Sequence, residues 1–174
     1  MPQAHADFPA AYRRFVAPVR MKCRRLLRDV EDAEEATHET FMRLLQAGPP
    51  WTGEADTSTV MAWLYRTSTR LCIDLIRRRK FMAPPVARAA EDNDEPQVMP
   101  CAAHPEAGLA ARRLVARLGA EIPRDELEAV VLCRVDGLSH PRAAQVLGVS
   151  ERTVRRLVER FDAGTLDMRK EFAS

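Results

Sequence analysis

Apolar side chains recur at three- and four-residue steps along most of the chain, the spacing that aligns one face of an α-helix. Tyr12, Phe15, Val16, Val19, Cys23, Leu26 and Leu27 form one such stripe, with Pro18 a candidate kink within it. A second stripe, Ala33, Thr37, Phe41 and Leu44, predicts a helix starting at Asp32, where Asp32 and Glu35 have the spacing of a capping box. This register turns Glu34, Glu35, His38, Glu39 and Met42 outward. Gly48, Pro49 and Pro50 then break the pattern and predict a loop running to Thr57. A long helix follows over 58–80, with Val60, Leu64, Thr67, Leu71 and Leu75 on one side. Shorter helices are expected over 107–119, 125–136, 139–147 and 151–163. Alternating β-branched runs are scarce, so the fold class expected is all-α.

Composition narrows the class. With 174 residues, 46% of them apolar, the chain fits one large or two small domains. Its 30% charged residues and net charge of +2 exclude a collagen-like, mucin-like or wholly disordered chain. The longest apolar run, Val60 to Tyr65, is too short to cross a bilayer, and the N-terminus lacks the apolar stretch of a secretory signal. Cys23, Cys72, Cys101 and Cys133 stand far apart, without a CxxC pair. The expectation is a reduced, cytoplasmic protein that inserts in no membrane.

Charge divides the chain into three. Residues 1–81 carry 14 Lys and Arg against 10 Asp and Glu, residues 82–106 carry one against five, and residues 107–174 carry 12 against 10. The middle segment also holds five of the twelve prolines and the cluster Glu91, Asp92, Asp94 and Glu95. Proline removes backbone donors and the carboxylates repel one another, so this segment reads as a flexible acidic linker between two small helical domains.

The C-terminal unit carries a strong local pattern in GLSHPRAAQVLGVSERTVRRLVERF, residues 137–161. Ser139 suits an N-cap and Pro141 a first helical turn. Ala144 allows two helices to cross closely, and Gly148 can take the positive φ of a tight turn. Ser150 can cap the next helix, whose Val154, Leu157, Val158 and Phe161 face inward while Glu151, Arg152, Arg155, Arg156 and Glu159 face out. This is a helix-turn-helix pattern with the second helix as reader, its arginine forks suited to guanine edges and phosphates. The plainer reading is a helical hairpin with a solvated basic face.

A second basic face lies on the long helix, where Trp63, Arg66, Arg70, Asp74 and Arg77 recur at three- and four-residue steps. Cations in a row beside Trp63 and the Trp51 loop are the ingredients of a single-strand site, where phosphates are neutralised and unstacked bases meet rings.

Three segments in order, DAEEATHETFMRL (32–44), WLYRTSTRLCIDLIRRRK (63–80) and the helix-turn-helix, resemble the small two-domain extracytoplasmic-function sigma factors of bacterial RNA polymerase. The resemblance implies a region 2-like domain over 1–81, a linker over 82–106 and a region 4-like domain over 107–174. It implies that Asp32, Glu35, His38, Glu39 and Met42 dock on core RNA polymerase. It places Trp51, Trp63, Arg66, Arg70, Asp74 and Arg77 at the melted minus-ten strand, the loop 46–57 capturing a flipped base. Ser150, Glu151, Arg152, Arg155 and Arg156 fall at the minus-thirty-five duplex. The implied function is promoter-specific transcription initiation with strand opening, needing promoter DNA but no cofactor and held in check by an anti-sigma partner. Alternatives are a sigma-like DNA-binding regulator that does not support initiation, and an interaction protein that sequesters polymerase. The chain departs from the family pattern at His38, where Gln is usual, at Ala36 and Thr37, at Arg70, where Asn is usual, and at Arg142 and Ala143.

No enzyme is expected. His5, His38, His104 and His140 are scattered, and no phosphate-cradling glycine loop, paired carboxylates or nucleophile motif stands out. Cys101 and His104 have CxxH spacing, but two ligand types in a proline-rich stretch do not make a metal site.

Overall fold

The structure is a computed structural model that describes residues 3–27, 29–47, 57–82, 119 and 121–171. Among these residues the regular elements are all helical. Helix α1 (Gln3–Leu26) runs unbroken through Pro9 and Pro18 and ends on Arg24 and Arg25, cations that suit the negative end of the helix dipole. Helix α2 (Val30–Gln46) begins two residues before the expected start. Its N-cap is Asp29, in extended conformation, whose carboxylate accepts a 2.8 Å hydrogen bond from the Glu31 amide. Asp32 instead lies in the first turn and turns toward Arg79, which bonds Asp29 at 2.8 Å and Asp32 at 2.5 Å.

The Arg79 guanidinium and the Glu31 amide hold the Asp29 carboxyl below its ordinary range. A depressed folded-state value stabilises the fold above the usual carboxylate range and loses that contribution as pH falls through it. Asp29→Asn keeps a capping oxygen but loses the charge. It is therefore expected to melt below wild type at pH 7, the gap closing below about pH 4. A gap independent of pH in thermal melts would show that the charge has no part in it.

Helix α3 (Thr57–Met82) carries the basic face. Helix α4 (Arg124–Val130) passes directly into a π-helical turn, Val131–Val135, closed by the Asp136 amide donating to the Val131 carbonyl at 2.9 Å. Helix α5 (His140–Leu147) follows Ser139, which is extended as an N-cap should be, although its hydroxyl makes no capping bond. Helix α6 (Glu151–Glu171) runs eight residues past its expected end. The helix expected over 107–119 and the linker lie outside the described residues, apart from Gly119 and Met82.

The sequence pattern anticipates two bodies acting apart. The structure packs them together. One apolar cluster takes Phe15, Val19, Phe41, Leu44, Leu64 and Ile73 from the first three helices, Ile122 from just before α4, Leu127 and Val130 from α4, Val131 from the π-helical turn and Phe161 from α6. A second cluster, including Ala129, Leu132, Ala144, Leu147, Val154 and Leu157, holds the helix-turn-helix together. This explains why a single stripe does not describe α3. Leu64 and Leu71 are buried as expected, but Ser68, Thr69, Cys72 and Ile73 are buried too, because α3 is covered from both halves. Thr69 stays satisfied through a 2.7 Å bond to the Tyr65 carbonyl.

Two buried side chains bridge the halves. Lys22 of α1 donates to the Asp136 carboxylate, both side chains wholly excluded from solvent. The Lys22 ammonium also sits 5.0 Å from the centroid of the Tyr65 ring, and Arg25 approaches the other Asp136 oxygen at 3.7 Å. Cys23 and Cys72 lie buried nearby and hydrogen-bond one another, which lowers the Cys23 thiol and raises that of Cys72. Burial pushes Cys133 up to about 11, so it stays a neutral thiol.

Candidate nucleic-acid interfaces

The helix expected to read DNA, α6, is formed in full. Gly148 takes φ 71° at the end of α5, and the Gly148 and Val149 amides both donate to the Ala144 carbonyl, at 2.9 and 3.1 Å. The Ser150 hydroxyl then accepts from the Thr153 amide at 3.1 Å and caps α6. With Val154, Leu157 and Phe161 buried, helical geometry leaves Glu151, Arg152, Arg155, Arg156 and Glu159 exposed on the opposite face. Arg155 is steadied by Glu151 at 3.1 Å, one turn earlier. Arg152 and Arg156 make no ion pair among the described residues, leaving two guanidinium forks open to a phosphate or a guanine edge.

The basic face of α3 is in a different state. Arg70 bonds Glu128 at 2.9 Å. Arg77 donates to the carbonyls of Gly119 and Ile122, each at 2.8 Å. Asp74 accepts from Arg124 at 2.5 Å, and Arg124 also reaches Glu128 at 3.4 Å. Arg66 lies against the helix-turn-helix turn, its terminal nitrogen 3.7 Å from where a Cβ on Gly148 would sit, and its Nε is buried without a hydrogen-bond partner. Trp63 is half-buried against the shared core. Of the side chains expected at a melted strand, Trp63, Arg66, Arg70, Asp74 and Arg77 are thus gathered along α3, and groups of the C-terminal half bond three of them and lie against Arg66. Trp51 and residues 48–56 of the expected capture loop lie outside the described residues.

On α2, Glu35 and His38 are exposed, Met42 is half-buried, and Glu39 pairs with Arg43 at 2.8 Å. Asp32 stands apart from them, engaged with Arg79 and only 15% exposed. The small residues Ala36 and Thr37 are buried where the family usually has larger aliphatics, and the Thr37 hydroxyl is satisfied by the Ala33 carbonyl at 2.7 Å.

Comparison with known proteins meets this geometry from outside. Sigma-70 region 2 matches residues 11–81, and Sigma-70, region 4 matches residues 112–160. The extracytoplasmic-function RNA polymerase sigma factor SigE of Mycolicibacterium smegmatis is 34% identical over 140 residues, 78% of this chain and 51% of that protein. The corresponding sigma factor SigM of Mycobacterium tuberculosis is 29% identical over 148 residues, 85% of this chain and 69% of that one. The chain therefore spans about half the length of one of these relatives and about two thirds of the other.

The chain belongs to the sigma-70 family.

The two matched regions are the two halves that share a core: region 2 takes most of α1 with α2 and α3, and region 4 takes α4, α5 and the first half of α6. No helix among its described residues is long and apolar enough to cross a membrane, and no group of three or more His, Cys, Asp or Glu among them could hold a metal ion. Sequence reasoning missed the groups that join the halves, namely Lys22, Arg124, Glu128 and Asp136. A signal existed for the first of these. Lys22 falls within the Phe15, Val19, Cys23, Leu26 stripe, and a lysine on an apolar face asks for a buried counter-ion. Nothing local marks Glu128 and Asp136, because their partners lie far away along the chain.

Proposed function

We propose that the chain binds core RNA polymerase and directs promoter-specific initiation, in a layout of residues 1–81, a linker over 82–106 and residues 107–174. Helix α6 enters the upstream major groove through Arg152, Arg155 and Arg156, with Ser150 and Glu151 at its leading end. Trp51, Trp63, Arg66, Arg70, Asp74 and Arg77 take the unpaired strand. Asp32, Glu35, His38, Glu39 and Met42 serve the polymerase surface, Asp32 through its hold on Arg79. Trapping unstacked bases draws the duplex–bubble equilibrium toward open, so binding alone does the work, without hydrolysis or cofactor. Neither contact needs to be tight, since polymerase raises the effective concentration of the second once the first is made. The reading places the chain in the cytoplasm under an anti-sigma partner. The observation that carries it is the exposed arginine face of α6, on a well-capped helix-turn-helix within the region 4 match.

Run-off transcription with core polymerase tests it. Promoter-dependent transcripts from genomic fragments are expected, and their absence despite confirmed polymerase binding would refute initiation. One observation favours a second reading, a duplex-binding regulator: the reader face is open while the strand-capture face is engaged. That reading expects the free chain to bind promoter duplex tightly without polymerase.

Arg70 bears on specificity. Asparagine can donate to and accept from a base edge, whereas arginine only donates, so Arg70 moves this position from base reading toward phosphate contact. Arg70→Asn is expected to change the sequences selected from a promoter library randomised at the minus-ten element. Identical selection by both proteins would end that assignment.

A further inference from the structure

Cys23 on α1 and Cys72 on α3 are both wholly excluded from solvent, and their helices pack directly on one another. The two thiols hydrogen-bond across that contact, so their sulfurs already meet although the residues stand far apart in sequence. Both are free cysteines, and a bond between them asks for little movement of the backbone. The pair also differs from inert core cysteines. Burial alone pushes a thiol up, as it does Cys133. Cys23 goes the other way: the Cys72 thiol donates to its sulfur and the Lys22 ammonium lies close, which together hold it below its ordinary value in spite of burial. Cys72 is raised well above its own, because the same bond favours its keeping the proton and burial adds to that. The two are therefore unequal, with Cys23 the nucleophile and Cys72 the partner that resolves it.

We propose that Cys23 and Cys72 form a redox site, which a peroxide converts to an intramolecular disulfide bracing α1 against α3 and which a dithiol reverses. The Cys23 thiolate attacks one peroxide oxygen; the O–O bond breaks, and the leaving hydroxide takes up the proton Cys23 gave and departs as water. Cys23 is left as a sulfenic acid. The Cys72 sulfur then attacks the Cys23 sulfur as the S–O bond breaks, and its proton leaves with that oxygen as a second water. Two thiols lose two electrons and two protons in all, and one peroxide becomes two waters. Burial sets the pace. Neither sulfur meets solvent, so the reaction waits for local openings of the region 2 core that admit a molecule little larger than water. In a reducing compartment the pair rests as thiols, and the brace forms only while oxidant is present. It closes a loop of about 50 residues, which restricts the unfolded chain strongly, so the oxidised form resists unfolding.

The test uses the full wild-type chain, reduced and then treated with hydrogen peroxide. Remaining thiols are alkylated under denaturing conditions, and the digest is read by mass spectrometry. The expected product joins the Cys23 and Cys72 peptides at a mass lower by two hydrogens than the reduced pair, with Cys133 recovered as an alkylated thiol. Thermal melts followed by circular dichroism should place the cross-linked chain above the reduced one by at least about 5 °C, and dithiothreitol should return it. Cys72→Ser removes the resolving partner, so its Cys23 is expected to stop at the sulfenic acid and be captured by dimedone. The proposal is overturned if peroxide leaves Cys23 and Cys72 as thiols, carries them separately to sulfinic acids, or joins either to another cysteine or another chain. A cross-linked chain that melts no higher than the reduced one would equally end it. All readouts are made without polymerase or DNA, so they stand whether or not the chain initiates transcription.

Discussion

Asp136→Ala is expected to destabilise the packed chain by about 3–5 kcal/mol, because it strands a charged lysine in a site with no solvent. Lys22 is wholly buried, and the Tyr65 ring that remains can replace only part of a carboxylate. Removing both charges is a different experiment. Lys22→Met with Asp136→Leu replaces an ion pair by apolar volume and is expected to be close to neutral, since the desolvation cost disappears with the attraction. Urea titrations at pH 7, followed by far-ultraviolet circular dichroism, should place the single variant's midpoint well below wild type and return it in the double. The single variant has an escape. Once the halves separate, water reaches Lys22, so the measured loss is capped by the energy that holds them together. Beyond that point the transition should split and its slope fall, as one cooperative unit becomes two. Equal stability of the single and double variants would show that Lys22 is hydrated in solution.

Arg152→Ala combined with Arg156→Ala is expected to abolish discrimination among upstream elements while leaving stability unchanged. Both side chains are exposed on the face of α6 away from the core, so their removal uncovers no apolar surface. A bidentate contact to the right base contributes about 1–3 kcal/mol of discrimination, a factor of roughly 5 to 150 for each arginine. The clean readout is the ratio of transcripts from promoters that differ only upstream, because phosphate contacts alone would lower all of them together. A ratio unmoved by the double substitution would remove α6 as the reader. Arg155 is less suited to this test, since its pairing with Glu151 confounds lost contact with a changed helix surface.

Much of the architecture was legible where local chemistry decides it. Gly148 ends a helix because only a residue without Cβ takes φ 71° cheaply, and Ser150 begins the next because its hydroxyl reaches the Thr153 amide. The start of α2 was misplaced by a coincidence of spacing. Asp32 and Glu35 satisfy the capping-box pattern, but Asp29 caps the helix and Arg79, fifty residues later, fixes it there. The candidate strand face was legible as a row of positions on α3, yet the condition of those side chains was not. Whether Arg70 and Arg77 point at water, at DNA or at Glu128 and a pair of carbonyls depends on contacts across more than forty residues, which periodicity does not encode. The same holds for Ser68 and Thr69, which lie off the apolar stripe expected on α3 and are buried all the same.

The π-helical turn at Val131–Val135 is a matter of phase. It inserts one residue more than an α-helix would need between α4 and Asp136, and each residue advances an α-helix by about 100°. Deleting a single residue there would let the ordinary ladder run on, rotate the carboxylate away from α1 and leave every charge in the chain unchanged. Coupling between the two halves would then be set by the count of residues in one turn, so that a change of length, with no change of chemistry, would act as the dial.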